Sequence, residues 1–460
     1  MSSSPDLYEK MNDIFVSEVK MTSDTGGDMS LMEQVKHISI YEDVTSTCIR
    51  AEISFTDGQG LINHFPIVGQ ETIHIKFVTP GVGLKPTEYR LDVVEILERT
   101  KSKDGRSELI KLGLVSSQAR MSGTKKLSQT YRGTPSDIAS TVFKNYLYTG
   151  KPIAVEKTSN QITYCVPNKS PIKTIQWLAS KSISAEISPS SYNYLFFENS
   201  KAFMFSSLDS LAFQDYAVKF ILSTETPISN SPGSSPDLIS KINNIEDINF
   251  VKSFNRLDEM SNGAHASRLL VHDITLKKVE EKEYNYYIDF FRLNHIEPYP
   301  SLPGRLNKYA SSKDAKLIVK GRQTGLFSNS PPSPQDYENY LQYRSVSLEE
   351  YNLNKIEIVV PGNSQLMAGV SAYLDLPKAE PLYKEDIDRM DEFSSGKYLI
   401  TAVRHMIDMG AKPIYKNVVQ LSRGSSPVRF PDKSTFDGRK GEPSPTPGIS
   451  GIVDFFKELF

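Results

Sequence analysis

Residues 49–56 alternate apolar and polar side chains: Ile49, Ala51, Ile53 and Phe55 against Arg50, Glu52, Ser54 and Thr56, before Asp57-Gly58 turns the chain. A period of two with one apolar side predicts a half-buried strand. Ile73, Ile75 and Phe77 repeat the pattern against Thr72, His74 and Lys76. Further strands are expected over Tyr89–Glu98 and Leu109–Val115, joined by a turn at Lys103-Asp104-Gly105. The apolar phase slips at Val93-Val94, which predicts a β-bulge. These strands read as a β-barrel or sandwich.

The period lengthens after about residue 120. Thr134-Pro135-Ser136-Asp137 places a capping hydroxyl, a first-turn proline and an acid where a helix begins. Ile138, Val142, Phe143, Tyr146 and Leu147 follow as its apolar stripe, up to Gly150. A second helix opens at Ser170-Pro171, with Ile172, Ile175, Leu178 and Ala179 facing inward. Strands Tyr192–Glu198 and Ala202–Ser206 are expected to pair about a turn at Asn199-Ser200. Residues 227–237 are rich in Pro, Ser and Gly and read as a linker. A helix carrying Phe250, Phe254 and Leu257 on one side is expected to end near Gly263, followed by strands Arg268–Lys277 and Tyr284–Phe291. Pro298 to Leu353 reads as an irregular insertion.

Strand patterns return at Ile356–Val360, Ser371–Leu376, Lys397–His405 and Asn417–Ser422. Three of these mirror Glu71–Phe77, Tyr89–Glu98 and Glu108–Val115 in spacing, which fits a duplicated β-unit and equally fits the spacing common to β-proteins. Beyond Arg423 the chain is Ser, Pro, Gly and charge until Gly448. Ile449, Ile452, Val453, Phe456, Leu459 and Phe460 then fall on one side of a helix. Burying six such side chains contributes on the order of 10 kcal/mol gross, which ordering the segment largely offsets. The segment is therefore expected to be helical when docked on a partner and frayed alone, the alternative being a disordered tail.

Composition narrows the function. The 460 residues are 38% hydrophobic and 23% charged with a net charge of −2, so a folded chain with room for several cores is expected, without the basic excess of a nucleic-acid binder. The N-terminus lacks a signal-peptide pattern and no apolar run is long enough to span a membrane, so no stable membrane insertion is expected. Cys48 and Cys165 are expected to be buried thiols, not a disulfide framework, as suits a reducing cytoplasm. The seven histidines (37, 64, 74, 265, 272, 295 and 405) have no zinc-ligand spacing, and His74 and His405 fall within strand patterns. Glu385-Asp386-Asp388-Asp391-Glu392 lacks the glycine that a calcium loop needs at its sixth position, where Asp391 stands. No nucleophile elbow or phosphate loop is present, and Gly81-Val82-Gly83 reads as a turn. No catalytic residue, cofactor site or metal site is expected. Trp177 is expected in a core, and the tyrosine-rich stretches 284–287 and 337–343 suit either protein interfaces or ordinary strands.

Several stretches stand out when taken in order: Gly58-Gln59-Gly60-Leu61-Ile62 leading to Pro66–Ile73; Tyr131-Arg132-Gly133-Thr134, then Val166–Pro171 and Trp177-Leu178-Ala179; Tyr194–Asn199 with Phe203–Leu208; Val360-Pro361-Gly362-Asn363-Ser364 with Gly369 and Leu376-Pro377; and Ser395–Thr401 with His405 and Tyr415. Together they resemble the central baseplate hub protein of contractile-tailed bacteriophages. The spike proteins of type VI secretion share part of this order. The resemblance leaves residues 298–353 and the C-terminal tail largely unmatched.

The resemblance implies a mainly β fold with two tube-like antiparallel β-barrel domains, two smaller α+β domains and an extended C-terminal tail. Residues 8–118 would form the first barrel and 119–212 an α+β domain. Residues 213–240 with 354–425 would form the second barrel, 241–353 an inserted α+β or irregular domain, and 426–460 a linker and amphipathic helix. The implied function is structural and non-enzymatic: a homotrimer with pseudo-sixfold symmetry in the phage virion, made in the host cytoplasm. It would join the sixfold tail tube, or tube-initiator proteins, to the threefold central spike. Other baseplate wedge proteins would be neighbours, and the channel would pass the tape measure and, non-specifically, DNA. The rivals are a tail-associated peptidoglycan hydrolase, a secretion-type spike protein, which would continue into a repetitive needle, and a tail-fibre or receptor-binding protein.

Overall fold

The computed structural model describes residues 13–23, 27–58, 60, 65, 67–79, 86–103, 105–148, 150–222, 242–301, 316–322, 336–378 and 390–429. The first strands are β1 (Phe15–Thr22), β2 (Asp28–Ser30), β3 (Val35–Asp43), β4 (Arg50–Asp57), β5 (Thr72–Val78), β6 (Thr87–Lys101) and β7 (Glu108–Ser116). Their inward positions are the alternating apolar residues of the sequence: Ile53, Phe55, Ile73, Ile75, Phe77, Ile110 and Leu112 are fully buried. The expected bulge is present, for the β6·β7 register shifts between Val93 and Glu95 and again between Ile96 and Glu98.

An α+β unit follows. It holds α1 (Ser117–Thr124), β8 (Thr130–Gly133), α2 (Pro135–Tyr146), β9 (Ile153–Val155), β10 (Ile162–Cys165), α3 (Pro171–Ala179), β11 (Tyr194–Glu198), β12 (Phe203–Ser207) and α4 (Leu208–Phe213). Thr134 caps α2 by accepting from the Asp137 N–H, with Pro135 in the first turn, as the sequence requires. Trp177 is half-buried and stacks on Tyr164 at 3.6 Å. Cys48 is buried, but Cys165 is exposed, contrary to expectation, because β10 turns that position outward at the edge of a two-stranded sheet.

Next come β13 (Val218–Ile221) and β14 (Asp247–Lys252), then α5 (Arg256–Ser261), β15 (Ala266–Asp273), β16 (Lys278–Asn285), α6 (Tyr286–Asp289), β17 (Tyr299–Pro300), β18 (Leu317–Arg322) and α7 (Tyr337–Glu350). The chain returns through β19 (Asn354–Pro361), β20 (Ser371–Asp375), β21 (Gly396–Asp408), β22 (Ile414–Arg423) and β23 (Ser425–Ser426). Three sequence expectations are corrected here. Phe250 lies on a strand, and Phe254 and Leu257 are exposed, because the 250–257 periodicity spans a strand end and a short separate helix. The strand expected through Phe291 ends at Asn285, whose side chain caps α6 instead. Residues 298–353 include a fourteen-residue helix, α7, whose aromatic and polar residues cover all its sides and so show no stripe.

The tyrosine-rich stretches pack inside the chain. Tyr284, Tyr286 and Tyr340 are buried. Gln342 of α7 donates to the Ser267 carbonyl at 3.1 Å, tying the helix to β15. On its other side Arg344 donates to the carbonyls of Tyr192 at 2.7 Å and Tyr194 at 3.0 Å, clamping the inserted unit onto the α+β unit. Lys181 sits among the Trp177, Tyr337 and Tyr340 rings at 5.0–5.9 Å, and burial lowers its amine to about 8.

The fold is mainly β, and one thirteen-stranded sheet joins the early strands β1–β7 to the late strands β19–β22. Its path runs β14-β19-β22-β21-β3-β4-β7-β6-β5-β1-β2, with β20 also on β21 and β13 on β20. The strand order β3·β4·β7·β6·β5 therefore recurs as β14·β19·β22·β21·β20. In this recurrence β6 and β7 match β21 and β22, as the sequence spacing suggests. Ile356–Val360, however, matches the strand at residues 50–57, not the one at 71–77, because the strand order places β19 opposite β22 as β4 lies opposite β7.

Replacing Arg344 by Leu leaves the Tyr192 and Tyr194 carbonyls without their charged donor. The expected cost is about 2–3 kcal/mol, with faster amide hydrogen exchange across α7 while β4 and β7 keep their protection. Unchanged exchange in α7 would show that Arg344 is not the clamp.

Candidate functional site

The two sets of strands meet where β21 lies beside β3. β21 serves two partners in succession: Gly396–Leu399 pair with β20, and Ala402–Asp408 pair with β3 from Asp43 to His37. A bulge between Ile400 and Ala402 separates the two halves. At the outer end of this seam His37 Nδ1 meets Asp408 Oδ1 at 2.5 Å. Arg404 lies over the Tyr41 ring at 5.3 Å and donates to Ser39 at 3.1 Å.

Beneath the seam lies a buried polar cluster. Glu42 of β3 accepts from Tyr89 Oη at 3.0 Å and from the Ala368 N–H at 3.0 Å. His405 of β21 is fully buried and its Nδ1 lies 2.8 Å from Asn417 Nδ2 and 2.7 Å from Tyr415 Oη. Asn417 Oδ1 accepts from the Asn363 N–H at 2.5 Å, which fixes its other end as the donor. The His405 Nδ1 is therefore the acceptor and the proton sits on Nε2, 3.9 Å from Glu42 Oε1. Phe77, Tyr89 and Tyr415 enclose the group with ring separations of 5.5–6.0 Å.

The loop between β19 and β20 locks the two sets together. Ser364 N–H donates to Thr79 Oγ1 at 3.0 Å, and Thr87 Oγ1 donates to the Ser364 carbonyl at 3.0 Å. Gly362 lies against the Tyr415 ring so closely that a Cβ would overlap it, and Gly369 adopts φ +88° beside Phe197. Thus Gly362, Asn363, Ser364, Gly369, His405 and Tyr415, all part of the sequence motifs, are brought together here. The alternation marked His405 as a strand residue. Glu42 escapes the sequence reading although it stands in phase with Ile38 and Ile40, because its partners, Tyr89 of β6 and the Ala368 N–H, come from parts of the chain that spacing does not connect to it.

Burial governs the chemistry of this cluster. Burial pushes the Glu42 carboxyl from its usual 4.5 up to about 7, against the pull of the Ala368 N–H. Burial likewise holds the His405 imidazole down to about 3 from 6.5. Burial thus favours the neutral form of both groups, Glu42 below about pH 7 and His405 above about pH 3.

A cleft of about 610 Å³ opens between the first strands and the α+β unit, lined among others by Glu88, Arg90, Arg120, Lys151 and Glu198. Its acids are engaged in the fold. Glu198 accepts from Lys151 at 2.7 Å, the Ile49 N–H at 2.9 Å and Ser116 at 2.5 Å, and Glu88 pairs with Lys76 at 3.4 Å. Arg120 pairs with buried Asp92 at 2.7 Å. Among the described residues no group of three or more His, Cys, Asp and Glu could hold a metal ion, and no helix is long and apolar enough to cross a membrane. Asp391 accepts from the Phe393 and Ser394 N–H groups as a turn, while most of the acidic run before it, the Gly81–Gly83 turn and the 449–460 docking residues lie outside the described residues.

The Glu42 and His405 shifts give opposite pH dependences. Stability from Glu42 is full below pH 4.5 and is lost as pH rises through about 7, whereas that from His405 is full above 6.5 and is lost as pH falls toward 3. Glu42→Gln removes only the first. The variant should gain on the parent between about pH 5 and pH 8, by at most about 3 kcal/mol, read from denaturant midpoints. A stability difference that does not move with pH would contradict this assignment.

No protein-family model matches the chain, and no curated protein matches it. Solved structures do. The tail protein from Neisseria meningitidis MC58 aligns with a TM-score of 0.51 at 10% identity, covering 90% of this chain and 99% of its own. The 43 kDa tail protein of prophage MuSo2 from Shewanella oneidensis aligns with a TM-score of 0.50 at 10% identity, covering 88% and 98%. The E. coli c3393 protein, a component of the type VI secretion system, aligns more loosely, with a TM-score of 0.39 at 10% identity over 91% and 80%. Over about nine-tenths of its length, this chain has the fold of phage tail proteins.

Proposed function

We propose that the chain is a structural subunit of a phage tail baseplate, the hub that joins the tail tube to the central spike. The observation that carries this reading is the end-to-end match in fold with two phage tail proteins, each covered over 98–99% of its length. A shared fold alone does not assign a function. The recurrent strand order adds physical support, because a chain carrying two equivalent sets of strands can present six wall segments from three copies.

In this reading three copies form a ring with pseudo-sixfold symmetry, each strand set closing into a tube-like barrel. One end of the ring meets the sixfold tube, the other the threefold spike, and wedge proteins surround it. The tape measure and DNA pass through the opening without sequence readout. The role is mechanical, and the polar cluster beneath the seam serves rigidity, not turnover. The C-terminal segment carrying Ile449, Ile452, Val453, Phe456, Leu459 and Phe460 docks on the spike or on a neighbouring baseplate subunit.

Light scattering on the purified chain should give three times the 51.6 kDa chain mass, and deletion of residues 431–460 should leave that mass ratio intact. A monomer at every concentration reached would contradict the self-assembling hub. A trimer that dissolves on truncation would move the tail's partner from another protein to this one. A cell-wall zymogram that shows clearing would favour the hydrolase reading instead.

A further inference from the structure

The recurrence of strand order extends to individual residues. Across the first set, one row of paired residues runs Ile40, Ala51, Leu114, Val93 and the next runs Ser39, Glu52, Gly113, Glu95. Across the second set the corresponding rows are Phe250, Ile356, Leu421, Ile400 and Asn249, Glu357, Gln420, Ala402. In both sets the bulge falls between the same two rows, at Val93/Glu95 and at Ile400/Ala402. β6 is thus the counterpart of β21, and β14 the counterpart of β3.

The counterparts differ in one respect. The distal half of β21 is paired with β3, while the distal half of β6 has no second partner among the described residues. β5 accompanies β6 only as far as Asp92, the Val93 N–H still reaches the Glu71 carbonyl, and residues 94–101 then pair with β7 alone. β14 pairs with β19 on one side and, among the described residues, with no strand on the other. Burial follows pairing. Val403 is 1% exposed and its counterpart Ile96 is 43%; Ile40 is 0% exposed and its counterpart Phe250 is 49%. An open edge carrying exposed Val94, Ile96 and Leu97 is a ready template for another strand.

We propose that the distal half of β6 in one copy of this chain pairs antiparallel with β14 of the next copy, repeating between chains the β21·β3 seam found within each. The inference rests on the ring reading above and specifies its interface. The register carries over from Arg404–Tyr41, His405–Ile40, Met406–Ser39 and Ile407–Ile38. It sets Glu98 opposite Lys252, Arg99 opposite Phe250, Thr100 opposite Asn249 and Lys101 opposite Ile248. The charges agree with it. Lys252 lies opposite Lys355 within its own sheet, a like-charge pair, and this register sets Glu98 of the next copy on the other side of Lys252. Because the two edges differ, the contact is head-to-tail, the kind from which a ring is built, and does not stop at a dimer.

The test uses the full chain with Cys165→Ser, leaving Cys48 buried. Thr100→Cys combined with Asn249→Cys places the two thiols on directly opposed residues, within disulfide reach, whereas Thr100→Cys with Lys252→Cys is out of register. Oxidation should give covalent multimers from the first pair and at least about tenfold less from the second. Separately, Glu98→Lys or Lys252→Glu should weaken assembly by about tenfold, and the double exchange should restore it. Assembly at full mass with no register-selective cross-link and no response to the charge exchange would overturn this interface while leaving the ring reading in place. A chain that stays monomeric by light scattering would overturn both.

Discussion

The structure depends on one strand serving two partners. β21 begins as the neighbour of β20 and, after its bulge, becomes the neighbour of β3, more than three hundred and fifty residues away in sequence. An alternating strand fixes its register strictly, because a slip of one residue would move Ile407 and Val403 out of the core and Arg404 into it. The cluster of Glu42, His405, Tyr89, Tyr415 and Asn417 reinforces that register. Glu42, Tyr89, Asn417 and the Nδ1 of His405 are each placed by a hydrogen bond, and a buried polar group that loses its partner costs about 1–3 kcal/mol. The cluster therefore selects one alignment more than it adds stability.

Other features accommodate this seam. Gly362 is required because the chain passes against the Tyr415 ring, and Gly369 because the backbone turns with positive φ beside Phe197. The α+β unit is held to the strands by Glu198, which takes the Ile49 N–H, Ser116 and Lys151 at the point where β4 begins and β7 ends. The inserted unit is held in turn by Arg344 and by the pairing of β17 with β23. The α+β unit also meets the sheet through a buried apolar cluster of Val44, Phe197, Leu208, Leu211, Ala368 and Leu399, while the two sets of strands each keep an apolar core of their own.

Much of the fold is legible where the local pattern and the tertiary environment agree. Ile53, Phe55, Ile73 and Ile75 alternate because one side of their strands is covered, and Pro135 and Pro171 mark helices that packing leaves in place. Legibility fails where long-range contacts decide. Tyr337–Glu350 forms a helix with aromatic and polar groups on all sides because two different units cover it, so no stripe announces it. Tyr284–Phe291 has strand-forming residues, yet it turns into a helix once Asn285 caps it. Glu42 is in phase with Ile38 and Ile40, but its place beside Tyr89, the Ala368 N–H and β21 depends on contacts distant in sequence that spacing does not carry. The tyrosines did mark an interface, but one between units of the same chain.

The central claim is that the seam within one chain and the contact between chains are two instances of the same geometry. Electron microscopy of the assembled protein, viewed along its axis and averaged without imposed symmetry, tests it most directly. The account predicts a closed ring with six similar wall segments around an opening, strictly repeating every third of a turn. Three isolated lobes, an open filament or a closed ring with only three wall segments would contradict it.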